Sequence, residues 1–186
     1  MKNKLAKTVR IATIPPVAAV LLILSMPEQF SGAGRWRALF FLALLPTLAY
    51  PVCRAVPALR RRGRTAERTL AVILSVTGYT AGAVSSVCLR ESREVQLVYL
   101  VYLASGLLIA VFSFLLHIRG SGHASGVAGP IAMLAFHGIP GCLGGLPVLA
   151  LVFWSSLTLG RHSWSQLVLG SVVPVLALAL LGPAML

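Results

Sequence analysis

The sequence predicts an all-α fold, a polytopic transmembrane helical bundle of six or seven spans, and three observations support this prediction. The chain of 186 residues is 58% hydrophobic and only 11% charged. Its mean hydropathy is +0.89, and long apolar runs alternate with short polar stretches. Since a helix needs ~20 mostly apolar residues to cross a bilayer, this length leaves no room for a soluble domain. We therefore expect residues 1–186 to form a single integral membrane domain, multi-pass in the cell membrane.

Seven apolar runs mark the expected spans, at residues 11–26, 36–53, 69–89, 95–118, 123–139, 146–159 and 167–186. The first run follows a basic start, as a signal peptide would, but Pro15 and Pro16 interrupt it and no clear small-residue cleavage site follows. We expect a retained span, with the prolines in a first turn or a kink. In the third run, Gly78 and Gly82 are expected to allow close helix packing.

The net charge of +12 is unevenly distributed along the chain. Two clusters hold most of it: Lys2, Lys4, Lys7 and Arg10 at the start, and Arg54, Arg60, Arg61, Arg62, Arg64 and Arg68 in one expected loop. A basic chain can bind nucleic acid, but juxtamembrane charges that fix topology explain this pattern better, so no nucleic-acid partner is expected. The positive-inside rule places the arginine loop in the cytoplasm, and counting spans puts the junctions after spans four and six on that side.

Acidic residues are scarce, with no aspartate and only Glu28, Glu67, Glu91 and Glu94. Magnesium chemistry on phosphates normally needs carboxylate ligands, so such a site is not expected in the second half of the chain. The three cysteines lack metal-binding spacing and are expected to be buried thiols. We expect neither a metal nor another cofactor.

The first of these junctions, residues 119–126, has features that suit a phosphate. Ser121 and Gly122 open a helix, whose free N–H groups attract anions, and glycine lets the backbone approach closely. Arg119 offers a charged fork for phosphate oxygens, and Ser121 can cap the helix or donate to an oxygen. His123 can donate a proton to a leaving oxygen.

The second junction, residues 160–166, can supply a nucleophile. His162 can attack phosphorus if its other ring nitrogen is held, and the Gln166 amide oxygen lies one helical turn away. Arg161 can bind the phosphate or anchor at lipid head groups. Taken singly, each junction is explained better by interfacial histidines, anchoring arginines and turn glycines than by a functional site. Together, two Arg–His pairs on one face favour a functional site, whereas His117 and His137 are interpreted as non-catalytic.

Both junctions resemble motifs of the type 2 phosphatidic acid phosphatase superfamily. Residues 121–123 resemble its Ser-Gly-His core, and with Arg119 the junction is similar to short bacterial and archaeal members that carry Lys-x-Ser-x-His. Residues 154–166 resemble the third motif, Ser-Arg-x5-His-x3-Asp, with Ser155, His162 and Gln166 at its spacing. The resemblance covers about the last half of the chain, so that residues 95–186 would be a phosphatase-like core and residues 1–94 the N-terminal spans.

This resemblance implies a helical membrane bundle and metal-independent hydrolysis of a polyprenyl or glycerolipid phosphate or diphosphate through a phosphohistidine. It implies that His162 is the nucleophile, His123 the general acid and Arg119 a phosphate ligand. Two positions depart from the family: Ser156 replaces an arginine that binds phosphate, and Gln166 replaces the aspartate that orients the nucleophile. Arg161, close by in sequence, is a candidate to offset the change at Ser156.

Two alternatives remain open. A catalytically silent family member would bind or move a phospholipid, or act as a scaffold, and the two departures favour that interpretation. A haloperoxidase is less favoured, because it would need vanadate and a soluble scaffold. The sequence leaves the lipid and the oligomeric state open.

Overall fold

The computed structural model describes residues 2–185, and over that range the chain forms eight helical segments and no strand. In chain order they are α1 (Lys2–Ala12), α2 (Pro15–Ser25), α3 (Gly32–Ala55), α4 (Pro57–Cys88), α5 (Arg93–Phe114), α6 (Gly122–Phe136), α7 (Gly141–Thr158) and α8 (Trp164–Met185). The all-α class predicted from the sequence is confirmed.

Five of the described helices, α3, α4, α5, α7 and α8, are long and apolar enough to cross a membrane. The pair α1 and α2 makes a sixth span if the two helices are counted as one, although they are bent by 45°. Helix α6, the expected fifth span, has only 15 residues, or about 22 Å, against a hydrocarbon core of ~30 Å. By length and composition the structure therefore has five or six candidate spans, and it does not reach seven.

The first expected span is divided at the proline pair. Helix α1 ends at Ala12, and α2 begins with Pro15 in its first turn, where the missing N–H costs no helical hydrogen bond. Residues 11–26 therefore do not form one continuous span. The basic residues of the chain start belong to a separate short helix, which packs against α7.

The arginine-rich stretch is helical, and the expectation of a loop before residue 69 is wrong. Helix α4 already begins at Pro57 and is kinked at Gly63, where φ is 58°. Arginine is a good helix former and proline is favoured at a first helical position, so the local preference agrees with this early start. Helix α7 similarly begins at Gly141, before the span expected from residue 146.

The core is organised around α5 and α6. Helix α6 packs against α2, α5, α7 and α8, whereas α5 also packs along α4. Tyr99 of α5 is among the largest fully buried side chains, and its ring lies against the backbone of Gly82. A methyl group on Gly78 would lie 2.6 Å from the Phe41 carbonyl oxygen of α3. The predicted close packing at Gly78 and Gly82 is confirmed.

Replacing Gly82 with alanine is expected to destabilise the bundle by about 1–3 kcal/mol, the usual cost of overpacking a core. The new methyl group would overlap the Tyr99 ring, which is fully buried and cannot swing aside. Thermal unfolding in detergent measures the change. Gly144→Ala in α7 is the matched control, because its methyl group meets nothing within 4 Å; equal unfolding temperatures for the two variants would contradict the prediction.

Candidate active site

The first junction is shaped by a helix cap. Ser121 precedes α6 and its hydroxyl oxygen accepts a hydrogen bond from the Ala124 amide at 3.3 Å. Its side chain is fully buried, which leaves it to cap the helix rather than to contact a ligand. Gly122, the next residue, is exposed at the start of the helix, and a Cβ there would enter open space.

The second junction is shaped by a glycine turn at the end of α7. Gly160 has a φ of 60°, a left-handed conformation that glycine adopts without steric cost. The Gly160 amide donates to the Leu157 carbonyl at 3.0 Å, and the Arg161 amide donates to the Ser156 carbonyl at 2.9 Å. These two bonds form a Schellman motif, which ends the helix and redirects the chain.

The two junctions are joined directly through their backbones. The Ser121 amide donates to the Gln166 carbonyl at 3.0 Å. One turn further along α8, Gly170 is buried with its Cα against the Ser121 backbone, so closely that a Cβ would collide with the Ser121 carbonyl. The contact between the loop before α6 and the first turns of α8 therefore requires glycine on one side.

Residues of both junctions line one cavity of about 700 Å³. The charged and imidazole side chains of its lining are two histidines, five arginines and one glutamate: His123, His162, Arg10, Arg64, Arg68, Arg119, Arg161 and Glu67. The lining also includes Val76, Tyr79, Val101, Tyr102 and Ile109. A lining that combines many cationic groups with apolar side chains is suited to an amphipathic anion.

His162 is held in a defined tautomer. Its Nδ1 lies 3.1 Å from Gln166 Oε1, as the four-residue spacing predicts, and that contact is confirmed. Gln166 Oε1 also accepts from the Ser163 amide at 3.3 Å, which orients the amide group with its oxygen toward the imidazole. Because an amide oxygen can only accept, Nδ1 carries the proton and Nε2 keeps its lone pair.

The surroundings of His162 favour its neutral form. Burial lowers the pKa of His162 below its ordinary value, the hydrogen bond with Gln166 opposes that change, and the positive charges of Arg10, Arg68 and Arg64 lower it further. A neutral imidazole with a free Nε2 lone pair is the form that can attack an electrophile.

His123 contacts the amino-terminal part of the chain. Its Nε2 lies 3.4 Å from the Thr13 hydroxyl oxygen, and that hydroxyl donates its proton to the Val9 carbonyl at 2.9 Å. With the Thr13 proton already used, the Thr13 oxygen accepts from His123, so Nε2 of His123 carries a proton in this arrangement.

The arginines around the cavity are short of acidic partners. Within residues 2–185 the one ion pair joins Arg37 to Glu91, away from the cavity. Arg161 Nη1 is buried and has no hydrogen-bond partner in the described part of the chain. Arg10 instead donates to the Ser156 hydroxyl at 2.9 Å, and Arg68 donates to the Ser113 hydroxyl at 2.9 Å.

Of the seven residues predicted for the site, five line the cavity: Arg119, Gly122, His123, Arg161 and His162. Ser121 and Gln166 lie behind it, the first as a helix cap and the second as the partner of His162. Neither His117 nor His137 lines the cavity. No measurement yet tests the catalytic and binding roles assigned to the seven residues, which stay predictions.

Sequence reasoning missed the contribution of the first half of the chain. Arg10, Tyr50, Arg64, Glu67 and Arg68 also line the cavity, so the site is not confined to residues 95–186. The two arginines of α4 were explained by topology alone, and no spacing in the sequence links Arg10 to either histidine.

Among the described residues, no group of three or more His, Cys, Asp or Glu side chains is placed to hold a metal ion. Comparisons of the chain with protein-family models, with curated proteins and with solved structures find no match. The interpretation of the site therefore depends on its own geometry and on the motif resemblance.

Gly170→Ala is expected to separate the two junctions and to destabilise the protein by about 1–3 kcal/mol. Its methyl group would collide with the Ser121 carbonyl, a backbone atom that cannot rotate away. Hydrogen exchange should show faster exchange of the Ser121 amide, because its bond to Gln166 would break. Gly122→Ala is the control, since its methyl group enters open space; unchanged Ser121 protection in Gly170→Ala would disprove the expectation.

Proposed function

We propose that this protein is a membrane-embedded phosphohydrolase that removes phosphate from a polyprenyl or glycerolipid phosphate or diphosphate through a phosphohistidine on His162. The observation that carries the proposal is the pairing of His162 with Gln166 beside His123 in one arginine-lined cavity. An imidazole held at one nitrogen is a nucleophile at the other, and guanidinium groups bind phosphate oxygens in a bidentate manner.

In the first step, His162 Nε2 attacks phosphorus. In a lipid monophosphate the bond that breaks joins phosphorus to the lipid oxygen; in a diphosphate it joins the attacked phosphorus to the bridging oxygen, which leaves with the lipid phosphate. His123 in its imidazolium form gives its proton to that leaving oxygen and becomes neutral. Burial and the positive charge of Arg10 lower the pKa of His123 to about 3; the negative charge of the bound phosphate raises that pKa and so favours the imidazolium form before the step. Arg119 and Arg161 stabilise the charge that builds on the phosphoryl oxygens.

In the second step, water attacks the phosphohistidine. Neutral His123 takes a proton from that water, the phosphorus–nitrogen bond breaks, and His162 leaves as the neutral imidazole with Nδ1 still bonded to Gln166. Inorganic phosphate is released and His123 is again protonated for the next cycle. Atoms and protons balance over the two steps with water as the only co-reactant.

The lining of the cavity suits a lipid substrate. The phosphate would bind to its arginines, and the first part of the apolar chain would lie along Val76, Val101 and Ile109. Arginines of α4 and both junctions line the same cavity, so the positive-inside rule assigns them together to the cytoplasmic face, whatever the number of spans. A substrate made inside the cell fits that face.

A second candidate function is phospholipid binding or transport without catalysis. Gln166 favours it, because a neutral amide stabilises the imidazolium character of an attacking histidine less than a carboxylate does. Retention of two histidines in one cavity favours the hydrolase.

His162→Asn is expected to lower phosphate release from lipid phosphates by roughly 10³-fold or more, as losses of catalytic nucleophiles do. The assay uses purified protein in detergent with phosphatidic acid, a polyprenyl monophosphate and a polyprenyl diphosphate, each with and without chelator. His117→Asn is the matched control: His117 is exposed, lies outside the cavity and has a φ of 54°, which asparagine tolerates. Wild-type release in His162→Asn would show that His162 is not the nucleophile, and a wild type that releases no phosphate would replace the hydrolase with the binding function.

The acid limb of kcat/KM is expected below pH ~6.5, the ordinary histidine value, because burial and neighbouring arginines lower the pKa of His162. A lowered pKa keeps the attacking imidazole neutral at more acidic pH, and activity falls only once the pH drops through it. In Gln166→Glu a carboxylate accepts the hydrogen bond from Nδ1 of His162. Its negative charge should raise the pKa of His162 and so move the acid limb up by about 1 pH unit or more. At pH values above the acid limb, kcat should rise. A pH–rate profile with an unmoved acid limb in Gln166→Glu would show that another group governs it.

A further inference from the structure

The amino-terminal helix brings a charged side chain into the site. Helix α1 exposes Lys2, Lys4 and Lys7 and buries Ala6 where it packs against α7. Arg10 lies in its last turn and lines the cavity together with His123 and His162. Helices α1 and α2 are bent by 45° relative to each other, and the last turn of α1 reaches Ser156 near the end of α7 through Arg10.

Arg10 is fixed by a buried hydroxyl. Its Nη1 donates to Ser156 Oγ at 2.9 Å, and Ser156 is fully buried in α7. A guanidinium has five N–H donors, and this bond uses one. No carboxylate within residues 2–185 forms an ion pair with Arg10, while the positively charged Arg64 lines the same cavity. The group is therefore oriented, largely unpaired and beside another positive charge, which is a binding arrangement for an anion.

A second guanidinium in the cavity has the same property independently. Arg161 follows Ser156 by five residues, lines the cavity, and its buried Nη1 lacks a hydrogen-bond partner in the described chain. A buried unpaired donor is unfavourable, and an anion in the cavity would remove that cost. Two cationic groups with unused donors therefore line the cavity, Arg10 from α1 and Arg161 from the turn after α7, and Ser156 contacts both chain segments through its hydroxyl and its carbonyl.

We infer that Arg10 is a phosphate-binding residue of this site, supplied by the amino-terminal helix and positioned by Ser156. In the motif that residues 154–166 resemble, the position of Ser156 carries the arginine itself; here a serine at that position holds an arginine from the other end of the chain. The ligand is the tetrahedral phosphoryl group. The inference rests on the proposed function only in taking that group to belong to a lipid substrate.

Inorganic phosphate tests this inference without requiring turnover. The measurement is the rise in unfolding temperature of the full chain in detergent as phosphate is added, from which a dissociation constant follows. Arg10→Met keeps the aliphatic stem and removes the charge; it should weaken phosphate binding about 10-fold or more, since hydrogen bonds from ionised donors are worth ~1.5–3 kcal/mol. Lys7→Met, on the same helix, exposed and outside the cavity, is the control and should bind as the wild type.

Two results would overturn the inference. The first is that Arg10→Met binds phosphate as tightly as the wild type. The second is that the substitution lowers the unfolding temperature by the same amount with and without phosphate, in which case Arg10 only stabilises the packing of α1 against α7. If Arg10→Met does not fold, Arg10→Lys is measured instead. Lysine keeps the positive charge but lacks the planar guanidinium, so a several-fold loss of phosphate affinity is expected. Wild-type affinity in Arg10→Lys would overturn the inference. If the wild type binds phosphate but releases none from any lipid, the proposed hydrolase function is wrong. The comparison of phosphate affinity between the wild type and the Arg10 variants still tests the inference in that case.

The positioning role of Ser156 has its own test. In the wild-type background, Ser156→Ala should weaken phosphate binding, because the Arg10 guanidinium loses its hydrogen-bond acceptor. In the Arg10→Met background, Ser156→Ala should leave phosphate affinity unchanged. A double-mutant cycle on the phosphate dissociation constant measures that difference. Equal losses in both backgrounds would show that Ser156 does not act through Arg10.

Discussion

The backbone contact between Ser121 and Gln166 is the constraint on which the site depends. It joins the loop before α6 to the first turn of α8, and Gly170 allows the close approach. His162 is oriented by Gln166, four residues further on, and His123 by Thr13 just after α1. The Ser121–Gln166 contact, together with the packing of α6 against α8, holds the two junctions together, so that both rings border one cavity.

The second constraint is electrostatic. Five arginines line a cavity that has a single carboxylate among its lining residues, and guanidinium groups so placed repel one another. Hydroxyl groups position some of them, as Ser156 does for Arg10 and Ser113 for Arg68, but a hydroxyl does not neutralise charge. A bound polyanion attracts all of these guanidinium groups and offsets their mutual repulsion. The repulsion that destabilises the protein alone therefore favours the binding of a phosphate.

Several features of the fold and site follow from local sequence. Gln166 follows His162 by four residues, and the hydrogen bond forms as that spacing predicts, although His162 lies just before α8. Ser121 caps the helix that begins beside it, and Gly82 meets a neighbouring ring where a small residue was expected. The loop expected for the arginine-rich stretch is wrong because charge alone does not indicate a loop: arginine favours helix, and Pro57 starts one.

The sequence by itself determined that this chain is an all-helical, membrane-embedded protein with two polar junctions, since hydropathy, caps and helical spacing act over a few residues. Only the tertiary structure decided that the junctions share a cavity with α1 and α4, and that Arg10 bonds to Ser156. Those two residues are 146 positions apart, and no periodicity or motif operates over that distance. A contact of this kind exists because packing of the whole bundle places α1 across α7, and packing is a property of the folded chain rather than of any segment.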